Sequence, residues 1–188
     1  TGCYADMTLP SAPDQSQVCV INQIYECGGP MDKAAPHSFG TRAMVNGHRP
    51  QLPLIFTGPL VMNWTRRIGG IPVPRIDDGA LTANQPLDPA RSRRWTSANI
   101  TVDGRSDWVF IKLYCHGFFD RDQSACIGED ARRFFAEMVE LADKAGEKVH
   151  FATAREAFNI ARAAMDGRSG DPGGFRDYLL TPIMADGR

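Results

Sequence analysis

The 188-residue sequence has no closely spaced cysteine pair, few histidines and no long apolar run. Its five cysteines form neither a C-x-x-C pair nor a zinc-ribbon spacing, so the sequence shows no common structural zinc module. Their odd number and wide scatter argue against a disulfide framework, and free thiols are typical of a reducing compartment such as the cytoplasm. No stretch approaches the roughly 20 apolar residues that cross a bilayer, and no secretory signal is visible.

The sequence also lacks a charge excess. The formal net charge is −1, so we expect no general attraction to nucleic acid or to an anionic membrane. Basic residues cluster only in short runs, at 65–67 and 91–94, where solvated loop charges compete with a sugar- or phosphate-binding patch as the explanation. Length and composition, 43% hydrophobic and 23% charged, predict one globular domain over residues 1–188.

Several catalytic signatures are missing. The four histidines form no H-E-x-x-H or other close metal-binding pair. A G-x-S-x-G elbow, a phosphate-binding P-loop and a G-x-G-x-x-G turn are also absent from the sequence. The sequence therefore gives no motif for a serine hydrolase, a P-loop nucleotide hydrolase or a dinucleotide-dependent enzyme.

The second half of the chain alternates strand and helix patterns. Residues 108–114 are mostly apolar and predict a buried strand, and apolar positions at helical spacing from Ala131 to Ala142 predict an amphipathic helix ended by Gly146. A short strand is predicted at 149–152, and Thr153-Ala-Arg-Glu156 is a capping box that begins another helix. This alternation predicts an α/β fold with mostly parallel strands and outer helices.

The first half is richer in turn signals. Residues 18–25 are apolar and β-branched, which fits either a strand or a helix. Residues 52–60 predict a buried strand stopped by Gly58-Pro59. Residues 66–94 carry many glycines and prolines and predict a long loop, which in compact domains is usually functional or mobile. A short strand and turn are predicted at 100–105.

His116 is the best candidate for catalysis. It ends the predicted strand at 108–114 and precedes Gly117, which permits a sharp turn or the close approach of a ligand. Its near-neutral ordinary pKa suits proton transfer, although a hydrogen-bonded core residue is an equal alternative. Cys115 is not its partner in our interpretation, because neighbouring side chains of a strand point to opposite faces.

The remaining candidates are weaker. Asp103 and Asp107 carry carboxylates that can orient an imidazole, but they precede the strand and are interpreted as turn residues. His150 is assigned a structural or solvent-facing role, because it alternates with apolar neighbours in a short strand. Asp6 and the segment 8–11 follow an apparent opening strand, and in a parallel sheet they would share an edge with His116.

Separate blocks of the sequence together resemble the C-terminal half of bacterial proteins in the NodB-like polysaccharide deacetylase superfamily. The blocks are Thr1-Gly-Cys-Tyr-Ala-Asp-Met-Thr-Leu-Pro-Ser11, Thr57-Gly-Pro-Leu60, Asp107-Trp-Val-Phe-Ile-Lys-Leu113, His116-Gly117, and Thr153-Ala-Arg-Glu156 with Asn159. The resemblance implies a partial or deformed (β/α) barrel. Because the chain opens at Thr1 as if partway through a strand, we expect it to be the C-terminal portion of a larger barrel.

The resemblance also implies a chemistry. Complete members remove N- or O-acetyl groups from carbohydrates with a zinc-like divalent metal, which activates water and polarises the acyl oxygen. An early Asp-Asp strand motif and a His-x-x-x-His motif hold that metal, and a late histidine protonates the leaving group. His116 corresponds to the late histidine. Thr8, Pro10 and Ser11 would contact substrate.

Both metal motifs are expected to lie upstream of this chain. The resemblance therefore implies no metal ligand and no cofactor in residues 1–188, and a chain that is inactive alone as a deacetylase. The expected partner is a carbohydrate, with neither nucleic acid nor membrane, and association with another copy or with the missing half would cover open sheet edges. The alternatives are a carbohydrate-binding or interaction module that stacks Trp64 and other aromatic residues on a ligand, and a purely structural fragment.

Overall fold

A computed structural model describes residues 3–9, 20–85, 87–115 and 119–182 of the protein, apart from the side chain of His37. These ranges contain eight strands, four α-helices and a short 3-10 helix at Pro172–Phe175. The strands are β1 (Ala5–Asp6), β2 (Ile24–Gly28), β3 (Ala35–Arg42), β4 (Leu54–Phe56), β5 (Leu60–Asn63), β6 (Arg67–Ile68), β7 (Ile71–Pro72) and β8 (Arg75–Asp78). The helices are α1 (Pro89–Ser97), α2 (Asp120–Ile127), α3 (Glu129–Lys144) and α4 (Ala154–Met165).

The main sheet has the strand order β1-β4-β2-β3. Strand β4 pairs in parallel with β1, whereas β2 pairs antiparallel with both β4 and β3. Register shifts on either side of Cys27 interrupt the β2–β3 ladder, and such bulges increase the local twist of a sheet. The result is a curled, mostly antiparallel sheet.

A second ladder forms a long hairpin, here called the arm, from residue 60 to residue 78. At its base β5 pairs antiparallel with β8, and at its tip β6 pairs antiparallel with β7. The two residues of the tip turn are Gly69 and Gly70, with φ values of +56° and +85°. Positive φ at both central positions defines the type I′ turn that suits the twist of a two-residue hairpin, and glycine adopts it without strain.

The predicted fold class is therefore wrong. A partial or deformed (β/α) barrel needs mostly parallel strands, but β1–β4 is the single parallel pairing between strands in the part of the chain that the structure describes. The prediction extended the alternation seen after residue 108 to the whole sheet. The pairing is instead set by two antiparallel ladders in the first half, β2–β3 and the arm.

Two local predictions of helices are confirmed. Helix α3 covers the predicted amphipathic segment, and Gly146 follows it with φ +74°. Helix α4 begins at the predicted capping box, in which Thr153 accepts from the Glu156 amide and Glu156 accepts from the Thr153 amide. No helix among the described residues is long and apolar enough to span a membrane.

Helix α4 lies at the centre of the main core. All its residues from Phe158 to Met165 are buried, because one side faces the sheet and the other is covered by the C-terminal segment at 175–180. The three alanines within this buried stretch, at 161, 163 and 164, permit close approach of the neighbouring backbone. On the sheet side, the core residues are Ile24, Leu54, Phe56, Ile100, Val102 and Trp108.

Other local predictions need correction. Of the buried strand predicted at 52–60, only residues 54–56 lie in β4. The ambiguous segment at 18–25 ends in β2, with 18–19 outside the described residues. The predicted loop at 66–94 contains β6, β7, β8 and most of α1. The segments 108–114 and 149–152 are not strands, apart from a parallel bridge between Tyr114 and Ala80. These segments lack the continuous backbone ladder that defines a strand.

Candidate functional site

A cleft of about 340 Å³ separates the segment 107–113 from the segment 148–154. Its apolar lining includes Met7, Phe56, Ile100 and Ile160. The charged and imidazole side chains lie along the two segments, with Asp107 and Lys112 on one and Lys148 and His150 on the other. Small-molecule sites in proteins have this size and this combination of apolar lining with few polar groups.

Lys112 connects one side of the cleft to the segment that follows β1. Its Nζ donates to the carbonyl oxygen of Leu9 at 2.5 Å, across a separation of 103 residues. Burial lowers the pKa of Lys112 to about 8, and the nearby Asp6 carboxylate partly offsets this effect. Asp6 is itself held by the amide and hydroxyl of Thr8, at 2.8 and 2.7 Å.

The other side of the cleft carries a small charged cluster. Lys148 Nζ lies 2.5 Å from Asp171 Oδ2, and Asp171 Oδ1 accepts from the Gly173 amide at 2.8 Å. His150 Nε2 is 3.1 Å from Asp171 Oδ1, but its geometry makes no hydrogen bond with any described residue. The sequence pattern predicts a structural or solvent-facing role for His150, and the structure places this residue in the wall of the cleft.

The lowered pKa of Lys112 is directly testable. In competitive acetylation followed by peptide mass spectrometry, we expect Lys112 to titrate near pH 8, below the value of about 10.4 that is usual for a lysine in an unfolded chain. Because the folded protein loses this proton before the unfolded chain does, its stability should rise between these two pH values, and this rise should vanish in Lys112→Met. Titration of Lys112 in the usual range of lysine would contradict the assignment.

The structure describes only some of the predicted site residues. His116, Pro10 and Ser11 lie outside the described residues, and Cys115 is the last described residue before His116. Thr8 is exposed beside Asp6 at the end of β1, close to the Lys112–Leu9 contact. Trp64 lies on the arm, is 57% exposed, and is not part of the cleft lining.

The described residues do not fit a metal centre. No group of three or more histidine, cysteine or acidic side chains within these ranges is arranged to hold an ion. The adjacent pair Asp77-Asp78 is engaged elsewhere: Asp77 binds Arg91 and Arg94, and Asp78 accepts from Tyr114. We therefore derive no catalytic step through a metal on these residues.

A second cleft, of about 560 Å³, lies beside β2 and β3. Glu26 faces it and accepts from His48 and from the amides of Gln51 and Leu52. Burial alone would raise the pKa of Glu26, but the hydrogen bonds from Leu52, His48 and Gln51 outweigh burial and lower it. The carboxylate thus anchors the loop at 48–52, which is a structural task.

Comparisons of the chain with family models, with curated proteins and with solved structures find no match.

Proposed function

We propose that this protein binds carbohydrate in the cleft between segments 107–113 and 148–154, and that it does not deacetylate carbohydrate by itself. The observation that carries the proposal is the Lys112–Leu9 contact. It brings the segment after β1 next to the segment that leads into His116. These are two of the segments on which the resemblance to polysaccharide deacetylases depends.

The lining of the cleft suits a sugar. The apolar side chains of Met7, Phe56 and Ile160 offer contact to the C–H face of a pyranose ring. Lys112 and Lys148 supply ammonium donors for hydroxyl or acyl oxygens, and Asp107 supplies an acceptor for hydroxyl groups. In this proposal Thr8, Pro10 and Ser11 keep their predicted role as substrate contacts.

The proposed lack of activity is supported by the groups that are missing from the sequence. His116 remains the proposed acid for a leaving group, but an acid needs an activated nucleophile to act with. The His-x-x-x-His motif that would help to hold an activating metal is missing from residues 1–188. The one Asp-Asp pair, Asp77-Asp78, is already bonded to two arginines and a tyrosine. We expect deacetylation only if a partner chain supplies the missing groups.

Calorimetric titration with N-acetylglucosamine oligomers, and with acetylated xylan oligomers as the O-acetyl counterpart, tests the proposal. We expect saturable binding without release of acetate. Lys112→Met should weaken binding about tenfold or more, because hydrogen bonds to charged groups contribute about 1.5–3 kcal/mol. Ala157→Leu should also weaken it, because Ala157 lines the cleft and the larger side chain fills it.

Matched controls lie on helix α3, away from the cleft lining. Lys144→Met and Ala136→Leu make the same chemical changes at exposed positions and should leave binding unchanged. A folded protein that binds none of the oligomers would overturn the proposed function. Acetate release by the isolated chain would overturn the proposal that the protein does not deacetylate carbohydrate by itself.

A further inference from the structure

The outer part of the arm is an exposed apolar surface. Every residue from Trp64 to Pro72 is exposed. Ile68 and Ile71 lie directly opposite each other across the ladder and are 56% and 70% exposed. Clusters of exposed large apolar side chains usually mark a surface that binds a partner.

The tip of the arm lies within a longer stretch of the chain that is basic and has no acidic residue. No Asp or Glu occurs from residue 33 to residue 76, whereas six residues there are Lys or Arg. Arg66 and Arg67 are next to the exposed isoleucines, and both are exposed. The net charge of −1 for the whole chain conceals this segregation, because the acidic residues lie elsewhere, many of them in α2 and α3.

The tip is also held in shape before any partner binds. The β6–β7 pairing and the Gly69-Gly70 turn fix the hairpin, and Arg67 donates across it to the carbonyl of Gly70 at 2.9 Å. A preformed hairpin loses little conformational entropy when a partner buries its tip.

We propose that the tip of the arm docks on an anionic lipid bilayer. Ile68, Ile71 and Trp64 enter the interface between headgroups and acyl chains, where tryptophan is favoured and aliphatic side chains leave water. Arg66 and Arg67 lie against the lipid phosphates, which attract basic residues close to the membrane surface. This inference is independent of the proposed carbohydrate site.

Other occupants fit the tip less well. Isoleucine has no planar face to stack on a sugar or a nucleobase, so a soluble polyanion leaves the exposed pair in water. A second copy of the chain needs about 800 Å² of buried surface from each partner for a stable dimer. A two-stranded tip of nine residues presents a narrow surface, and its partner in such a dimer would be another basic arm.

Sedimentation of the full chain with vesicles tests the proposal. We expect binding to mixed phosphatidylglycerol and phosphatidylcholine vesicles and little binding to phosphatidylcholine alone. Fluorescence supplies a site-specific readout, because Trp64 is exposed whereas Trp95 and Trp108 are 0% and 5% exposed. Vesicles should shift the emission to shorter wavelength in the native protein but not in Trp64→Phe.

Substitutions separate the contribution of the apolar side chains to vesicle binding from that of the arginines. Ile71→Asp should weaken vesicle binding about tenfold or more, since a charge at this depth is costly in the interface. Arg66→Gln with Arg67→Gln should remove the preference for the anionic lipid. Ile127→Asp is the matched control, because Ile127 is 77% exposed on α2, and it should bind normally.

Three outcomes would overturn the proposal. One is equal binding to both kinds of vesicle together with an unchanged emission of Trp64. Another is binding to heparin or to DNA without any effect of Ile71→Asp, which would assign the arginines to a soluble polyanion. The last is a concentration-dependent dimer that Ile71→Asp dissolves while vesicles have no effect.

Discussion

Replacing Asp77 with asparagine will lower the free energy of unfolding by about 3–5 kcal/mol, the usual cost of leaving a buried charge without its partner. Asp77 Oδ1 accepts from Arg91 Nε at 2.8 Å, and Oδ2 accepts from Arg94 Nε at 2.7 Å. The side chains of Asp77 and Arg91 are only 5% and 2% exposed, so water cannot replace the lost charge. Asparagine keeps the shape of the aspartate side chain but removes the negative charge that compensates the two arginines.

The effect should extend beyond one ion pair, because Arg91 joins several elements. Its guanidinium also donates to the carbonyl oxygens of Asp78, Ala80 and Gln85, and it lies over the ring of Trp95. Trp95 in turn donates to the carbonyl of Asp78 at 2.8 Å. This network attaches helix α1 to the base of the arm, so Asp77→Asn should loosen the arm as well as the core.

Urea unfolding monitored by circular dichroism measures the first effect, and hydrogen exchange of β8 amides measures the second. The control is Asp143→Asn at the exposed end of α3, where we expect a change within about 0.5 kcal/mol. If Asp77→Asn costs less than about 1 kcal/mol, the buried charges are not coupled as the geometry indicates.

The sequence predicts those elements whose signals are local. The capping box at Thr153, the apolar spacing of α3 and the buried run of β4 each depend on residues within one element. The arm carries an equally local signal, which the predicted loop at 66–94 does not take into account: Gly69-Gly70 between two isoleucines is a two-residue hairpin pattern. Asp88 before Pro89 likewise indicates a helix start, and Asp88 does cap α1 by accepting from the Ala90 amide.

Strand pairing was not predictable in this way. The apolar run at 108–114 predicts a buried strand, but periodicity carries no information about which segment pairs with it. In the structure only Trp108 of this run is buried, and the run forms no ladder. The choice between parallel and antiparallel pairing depends on turns and bulges elsewhere, such as those around Cys27. The same limit applies to the cleft, because nothing local to Lys112 reveals that it meets Leu9.

Replacing Asn159 with leucine is expected to cost about 2–4 kcal/mol, because each buried polar group left without a partner costs about 1–3 kcal/mol. Asn159 is fully buried, and its carboxamide is completely used. Nδ2 donates to the carbonyls of Arg176 and Leu180 at 2.6 and 2.7 Å, and Oδ1 accepts from the amides of Leu179 and Leu180 at 3.2 and 2.8 Å. Leucine has a similar volume, so the cost reports lost hydrogen bonds rather than a cavity.

Asn159→Asp distinguishes this role from simple packing. An ionised carboxylate would face two carbonyl oxygens, so its pKa should rise above the ordinary value and the variant should be more stable at pH 4.5 than at pH 7.5 relative to the native protein. Thermal unfolding of Asn159→Asp and Asn159→Leu at both pH values measures this difference, with Asn84→Leu at an exposed position as the control. Equal losses for both variants at both pH values would contradict the hydrogen-bonding role. The C-terminal segment that Asn159 holds follows Asp171, which binds Lys148, and Pro172, which lines the cleft. Loss of the Asn159 hydrogen bonds should therefore also loosen the side of the cleft that carries Lys148.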